Sequence, residues 1–234
     1  MAQRSGLGFV PYLVPYASFL GLVTLGAPLA LRVALPGVLF VYFLVRGGYP
    51  ELRGARGIGA GALLDVLFGL GIAVLWVGPY LVFDALSRPA PGEGFNPLEP
   101  FGGSGRSLAL AVRLVGFAGV TPFIEELFVR SFLIRYVDVF DRGVDFREVP
   151  IGRFAWRSFA VTALYFALSH ARWEWPVALA TGVLFNLWLY RRRSLPALIL
   201  AHVVANAAIW AAVVFAPAGL ATLGGRPLDP WIFL

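Results

Sequence analysis

The sequence predicts an all-α membrane protein, a polytopic bundle of seven or eight transmembrane helices in a single membrane domain spanning residues 1–234. The first observation is compositional: 59% of the residues are hydrophobic and 14% are charged, whereas soluble domains average about 45–50% and about 25%. The second observation is the mean hydropathy of +0.78, which also indicates a strongly apolar chain. The third observation is the length of the apolar runs, because about 20 apolar residues form a helix that crosses a bilayer.

Seven apolar segments follow one another along the chain and account for the predicted helices. They cover approximately residues 9–30, 33–46, 59–84, 107–136, 154–171, 175–191 and 195–216. The second segment is short for a full crossing. The fourth is long and contains Pro122. Because proline interrupts helical hydrogen bonding, this segment is divided in the eight-helix alternative.

The arginines predict how the bundle is oriented. All 19 basic residues are arginine, and most lie between the apolar segments. A cytoplasmic N-terminus places twelve of them inside and five outside, as the positive-inside rule requires. This distribution is typical of membrane topology rather than of a phosphate-binding face, so it predicts a lipid bilayer and no nucleic acid as partner. The absence of cysteine excludes a thiol nucleophile, a disulfide and a thiolate metal site.

Nine strongly polar residues lie inside the apolar segments. They are Asp65, Arg113, Glu125, Glu126, Arg130, His170, Asn186, His202 and Asn206. An ionised side chain at the bilayer centre costs about 2.5–3.5 kcal/mol on insertion scales, so such residues persist where they face a polar interior. Asn186 is predicted to make hydrogen bonds between helices. Asp65 and Arg113 are assigned structural or interfacial roles.

The stretch "TPFIEELFVRSFLIRY", residues 121–136, holds two adjacent glutamates and an arginine. Glu126 and Arg130 are four positions apart, so they lie on one helical face and can pair, which suits a structural ion network. Glu125 points about 100° away around the helix and lacks this local partner. Glu125 is therefore the candidate for a chemical role.

The two histidines of the chain stand in "FALSH" (His170) and "HVVAN" (His202), and the second motif stacks Asn206 one turn after its histidine. Each histidine has an alternative role as a hydrogen-bonded packing residue. A carboxylate and an imidazole can hold a water and remove its proton. An imidazole N–H and an amide N–H can face the oxygen of a carbonyl under attack. These groups are the parts of a water-attacking amide hydrolase, and no GxSxG nucleophile motif occurs.

Three motifs in order resemble the CPBP family of intramembrane proteases, which includes the CAAX prenyl endopeptidase Rce. "EELFVR" fits EExxxR, "FALSH" fits FxxxH and "HVVAN" fits HxxxN, within a core at about residues 115–216. The resemblance implies a membrane-associated protein or peptide substrate and a mechanism without a metal or other cofactor. It implies that Glu125 and His170 activate the water, that His202 and Asn206 stabilise the oxyanion, and that Glu126 and Arg130 support the site.

A narrower resemblance involves "VPIGRFAWRSF" and "ARWEWPVALATGVLFNLWLYRRRSLPALILAHVVAN". These segments are similar to the exosortase-associated CAAX-protease-related group of bacteria, which accompanies protein-sorting systems. This resemblance implies a multi-pass protein of the bacterial inner membrane, participation in protein sorting, and an exosortase system as a partner.

Two other functions remain open, and each has its own test. Glu125, His170 and His202 form a possible zinc site, in which two histidines and one carboxylate leave a position for water. Intramembrane polar residues also build proton or solute pathways, or brace a membrane partner without catalysis. In either enzymatic mechanism, the site is expected to open toward the cytoplasmic half of the bundle.

Overall fold

The computed structural model describes residues 8–53, 61–86, 88–90, 92–218 and 220–234. Within these ranges the fold is all-α with seven helices and no strands, which confirms the predicted class. The helices are α1 Val10–Thr24, α2 Leu29–Val45, α3 Ala62–Val82, α4 Gly103–Val139, α5 Trp156–Leu168, α6 Trp175–Arg192 and α7 Leu195–Val214. Two arginines used for the predicted topology, Arg4 and Arg56, and the first residues of the predicted third segment lie outside the described residues.

Local sequence signals account for several helix starts. α1, α6 and α7 each carry a proline at the first or second position, where its missing N–H would have no intrahelical acceptor. The hydroxyl of Ser194 also caps α7 by accepting a hydrogen bond from the backbone N–H of Ala197 at 3.3 Å. Three helices, α3, α4 and α7, are long and apolar enough to cross a membrane, and the apolar helices α1 and α2 are shorter.

Helix α4 is not divided at Pro122, so the eight-helix alternative is wrong. Two stretches of π-helix, Val115–Val120 and Leu127–Leu133, lie within α4 on either side of the α-helical turn Thr121–Glu126. Across the first stretch, the N–H of Thr121 bonds to the carbonyl of Gly116, five residues back. The wider turn absorbs the proline without a break in the helix.

The contacts between loops and helix ends define two ends of the bundle. We call the end that carries residues 46–53, 139–156 and 191–195 the arginine-rich end. The opposite end, which carries residues 92–106, 169–175 and 220–234, is the arginine-poor end. At the first, Asp65 of α3 pairs with Arg192 of α6 at 2.8 Å. At the second, the hydroxyl of Tyr80 donates to the carbonyl of Trp173 at 2.6 Å.

The polarity of the bundle is reversed relative to a soluble protein. Large apolar side chains on the outer helix faces are exposed, for example Val38 at 66%, Leu63 at 69% and Val74 at 71%. In contrast, Glu126 and Arg130 are fully buried between the helices. Such an arrangement is stable where the surrounding solvent is lipid rather than water, and the apolar helices are those of a multi-pass membrane protein.

Candidate active site

A cavity of about 320 Å³ lies between the helices in the half of the bundle next to the arginine-poor end. All four candidate catalytic residues line it: Glu125 from α4, His170 from the end of α5, and His202 and Asn206 from α7. Three helices that are separated in sequence therefore bring together the groups of the three motifs. Trp76, Thr121 and Ser169 complete part of the wall.

His202 lies between the two adjacent glutamates. Its Nδ1 is 2.8 Å from the carboxylate oxygen Oε1 of Glu126, and its Nε2 is 3.8 Å from Oε2 of Glu125. Glu126 is fully buried and lies away from the cavity, whereas Glu125 lines it. Because a carboxylate bound to one ring nitrogen fixes the orientation of an imidazole, Glu126 positions His202.

Arg130 and Asn186 form a buried layer behind this pair. The Nη1 of Arg130 is 3.4 Å from Oε1 of Glu126, so the expected pairing along α4 is present. The Nε of Arg130 donates to Oδ1 of Asn186 at 3.4 Å, and Nδ2 of Asn186 donates to Oγ1 of Thr162 at 2.9 Å. Asn186 thus connects α6 with α4 and α5, which confirms its predicted role between helices.

His170 lies two residues beyond the end of α5, with its ring facing the cavity. Its Nδ1 is 2.7 Å from the carbonyl oxygen of Phe166. Since a carbonyl only accepts hydrogen bonds, Nδ1 carries the hydrogen, and in the neutral ring Nε2 is left as the basic nitrogen. The ring of Trp76 contacts the imidazole edge-on at a centroid distance of 5.2 Å. This arrangement holds a ring that can accept a proton from the cavity side.

Asn206 is fixed by the π-helical stretch of α4. Its Nδ2 donates to the carbonyl of Phe117 at 2.7 Å. That carbonyl receives no bond from the usual helical donors, because the N–H of Thr121 bonds to Gly116 and Pro122 has no N–H. One amide hydrogen of Asn206 thus satisfies an orphan carbonyl, and the second remains to donate to a group in the cavity.

Two further charged residues line the same cavity, Arg113 and Glu174. The sequence analysis assigns Arg113 a structural or interfacial role. Its position inside an apolar segment is the sequence signal that could have identified it as a residue of the site. Glu174 lies in the turn between α5 and α6, where one charged residue carries no such signal. Partial burial raises the pKa of Glu174 to about 7, although its carboxylate accepts a hydrogen bond from the N–H of Ala171.

The zinc alternative requires Glu125, His170 and His202 to converge on one ion. Glu125, His170 and His202 share the cavity. In the described part of the chain, however, no three histidine, aspartate or glutamate side chains are grouped so that they could hold a metal ion. The residues present therefore do not fit the tetrahedral site of the zinc alternative.

The position of the cavity differs from the expected one. Its lining comes from the ends of α1, α3 and α5 and from the beginnings of α4 and α6. All of these lie toward the arginine-poor end of the bundle. The sequence-based expectation placed the opening at the arginine-rich, cytoplasmic half, although the helical rise put His170 about 20 Å and His202 about 10 Å from that surface.

Comparison with known proteins identifies the region that carries the site. Residues 107–208 match the family model described as Type II CAAX prenyl endopeptidase Rce1-like. No curated protein and no solved structure matches the chain. The exosortase-associated subgroup is not confirmed by the match, and this finer assignment stays a prediction. The matched residues 107–208 contain all four cavity-lining candidates, and this similarity to the Rce1-like CAAX prenyl endopeptidases supports an intramembrane endopeptidase.

Proposed function

We propose that the chain hydrolyses a peptide bond of a membrane-associated protein by a glutamate mechanism that needs no metal, with residues 115–216 as the catalytic core of one membrane domain. One observation carries the proposal: Glu125, His170, His202 and Asn206 line a single cavity. Glu126 and Arg130 lie behind it, fully buried, which suits a supporting role.

In the proposed reaction, Glu125 transfers a proton from the water to the leaving amine. Glu125 and Nε2 of His170 hold a water, and Glu125 takes one proton as the water oxygen attacks the carbonyl carbon. The tetrahedral intermediate then collapses, the carbon–nitrogen bond breaks, and Glu125 passes its proton to the leaving amine. The atoms balance with water as the only co-reactant.

Charge on the intermediate is stabilised from α7. The free amide hydrogen of Asn206 and an Nε2–H of His202 face the oxyanion. His202 carries that hydrogen when its ring is protonated, because Nδ1–H is already directed at Glu126. The support network of Glu126 and Arg130 thus serves the oxyanion site rather than the water.

The size of the cavity restricts the substrate. A volume of about 320 Å³ is near the lower end for ligand pockets, which run from about 300 to 1,000 Å³. It admits a few residues of extended chain and excludes a folded domain or an intact helix. The substrate is therefore a terminal or locally unwound segment of a membrane-associated protein.

The experiment compares protein N-termini in membrane fractions of cells that make the wild type or Glu125→Gln at matched levels. N-termini that appear only with the wild type are expected, and their sequences name the substrate. Sorting signals near the cleaved bonds would support the exosortase link. Identical sets of N-termini in the two samples, with His170→Ala also without effect, would contradict the proposal and favour transport or bracing. Stoichiometric zinc in the purified protein would replace the metal-free mechanism.

The orientation is proposed separately. The arginine bias supports a cytoplasmic N-terminus in a bacterial inner membrane, and the cavity at the arginine-poor end then faces away from the cytoplasm. The cysteine-free chain suits a labelling test. In spheroplasts, Glu99→Cys at the arginine-poor end should react with a membrane-impermeant maleimide. Val144→Cys at the other end should react only after permeabilisation, and the reverse pattern would put the cavity on the cytoplasmic side.

A further inference from the structure

Arg113 is a cation in the catalytic cavity, and the described residues provide no carboxylate that forms an ion pair with it. Its side chain lines the cavity together with Glu125, His170 and Asn206. Its Nε is buried without a hydrogen-bond partner. Across the described ranges, no carboxylate lies within 4.0 Å of its guanidinium, whose central carbon lies over the rings of Phe95 and Phe117 at 5.5 and 5.4 Å from the ring centroids.

Besides Glu125, the acidic residue that lines the cavity together with Arg113 is Glu174. Its Oε2 accepts a hydrogen bond from the N–H of Ala171 at 3.0 Å, which holds the carboxylate at the turn. It makes no ion pair with Arg113. The two side chains attract each other across the cavity, but Nε of Arg113 remains without a hydrogen-bond acceptor.

A second arginine increases the local positive charge. Arg113 also lines a smaller cavity of about 190 Å³ beside α2, and Arg32 lines that cavity as well. The Nε of Arg32 donates to the carbonyl of Ala27, which satisfies part of its guanidinium. A guanidinium whose Nε is buried without an acceptor, as in Arg113, is costly in a low-dielectric interior unless an anion from outside the chain binds there.

We propose that Arg113 binds a carboxylate of the peptide substrate and so selects peptides with an acidic group near the cleaved bond. The proposal rests on the peptidase function given above. A carboxylate suits the site because guanidinium binds it through two parallel hydrogen bonds. It belongs to the substrate because Arg113 faces the cavity in which the bond is cleaved.

The helix gives the distance between the two groups. Arg113 and Glu125 are twelve residues apart on α4, which corresponds to at most about 18 Å, the value for a regular α-helix. An extended peptide advances about 3.3 Å per residue. Since the long arginine side chain shortens the gap, the carboxylate lies within about six residues of the cleaved bond. Phe117 connects the two regions, with its ring below Arg113 and its carbonyl bound to Asn206.

Binding can be measured without cleavage on purified, detergent-solubilised Glu125→Gln. The probes are decapeptide pools made as matched pairs, with a free C-terminal carboxylate or a C-terminal amide, and without Asp or Glu. A third pool is amidated and carries one Asp or Glu at varied positions. Retained peptides are quantified by mass spectrometry. Preference for the first pool identifies a chain terminus as the ligand, and preference for the third identifies an acidic side chain.

The expected preference for a carboxylate is about 10–100-fold, the range for a hydrogen bond to a charged group. Adding Arg113→Gln should abolish it, and Arg113→Lys should restore part of it. Arg32→Gln is the matched control, because Arg32 lines only the side cavity and the preference should persist. Thermal melting of each variant verifies that it is folded.

Three results overturn the proposal: equal retention of all pools, a preference that survives Arg113→Gln, or loss of retention when phosphatidylglycerol is added to the micelles, which would assign the site to a lipid phosphate. The peptidase function is tested separately on the same pools with the wild-type protein. Cleavage without a carboxylate preference would leave the function and refute the inference. Carboxylate-selective binding without cleavage would support the carboxylate site and refute the peptidase function.

Discussion

The two ends of the bundle treat charge in opposite ways. At the arginine-rich end, acidic side chains pair with arginines: Asp65 with Arg192 at 2.8 Å, Asp141 with Arg157 at 2.8 Å, and Glu51 with Arg135 at 3.3 Å. Around the cavity, Glu125 has His202 at 3.8 Å as its recorded ion-pair partner, and Arg113 has none among the described residues.

The difference separates groups that hold helices together from groups that are available to a substrate. Paired charges at the arginine-rich end connect α3 to α6 and the 50–53 turn to α4. Their polar atoms are largely used by the protein itself. In the cavity, by contrast, Glu125, His170 and Asn206 each keep a polar atom directed at empty space, while a second atom or a neighbour fixes their position. Such preorganisation is what catalysis requires.

The adjacent glutamates provide the largest test of this comparison. Glu125→Gln should lower turnover about 10²–10⁴-fold, the usual contribution of a general base, with little change in melting temperature. Glu126→Gln should mainly destabilise the fold, because it leaves Arg130 buried with a weakened partner, a defect worth about 3–5 kcal/mol when a buried pair is broken. Cleavage assays and thermal melting in detergent measure both effects. Equal loss of turnover at matched folding would remove the distinction between the two residues.

Asn206→Ala should lower turnover about 10²–10³-fold, the cost of one oxyanion donor. Some destabilisation is also expected, because the carbonyl of Phe117 loses its hydrogen bond. Asn186→Ala is the matched control: it removes another buried amide that bonds across helices but does not line the cavity. Comparable turnover per folded molecule in the wild type and Asn206→Ala would refute the oxyanion role.

Asp65→Asn tests the opposite end. Its carboxylate is fully buried and accepts bonds from Arg192 and from Nε1 of Trp188 at 2.9 Å. The loss should destabilise the fold by about 1–3 kcal/mol, less than for a fully buried pair because Arg192 is partly exposed. Turnover per folded molecule should not change. A loss of turnover without a lower melting temperature would show that the charges at this end also serve the site.

The sequence predicted the helices more accurately than the place where their polar side chains come together. Apolar length defined the seven helices, and spacing along one helix predicted the pair of Glu126 and Arg130. The uninterrupted course of α4 was not predictable from Pro122 alone. It depends on π-helical turns and on Asn206, which lies 89 residues away from the carbonyl that it satisfies. Arg113 also acquires its place in the cavity only through packing, because no periodicity relates it to α5 or α7.

Two acidic residues outside the membrane helices give the smallest effect and the clearest contrast in sign. Burial raises the pKa of Glu174 to about 7, so between pH 5 and 7 the folded protein holds a proton that the unfolded chain has released. Stability from this residue is complete at acidic pH and is lost as the pH rises through 7. Glu174→Gln cannot ionise and should reduce the fall in melting temperature between pH 5 and pH 8.

Asp141 is the control for that measurement, because the hydrogen bond from Arg157 holds its pKa below the usual range for aspartate. Its contribution is present above the pKa of the unfolded chain and is lost only at more acidic pH than 5. Asp141→Asn should therefore leave the slope between pH 5 and pH 8 unchanged. If Glu174→Gln and Asp141→Asn alter the slope equally, the two ends do not differ in how they treat an acidic side chain, and the contrast between a paired end and an open cavity would have to rest on the membrane-embedded residues alone.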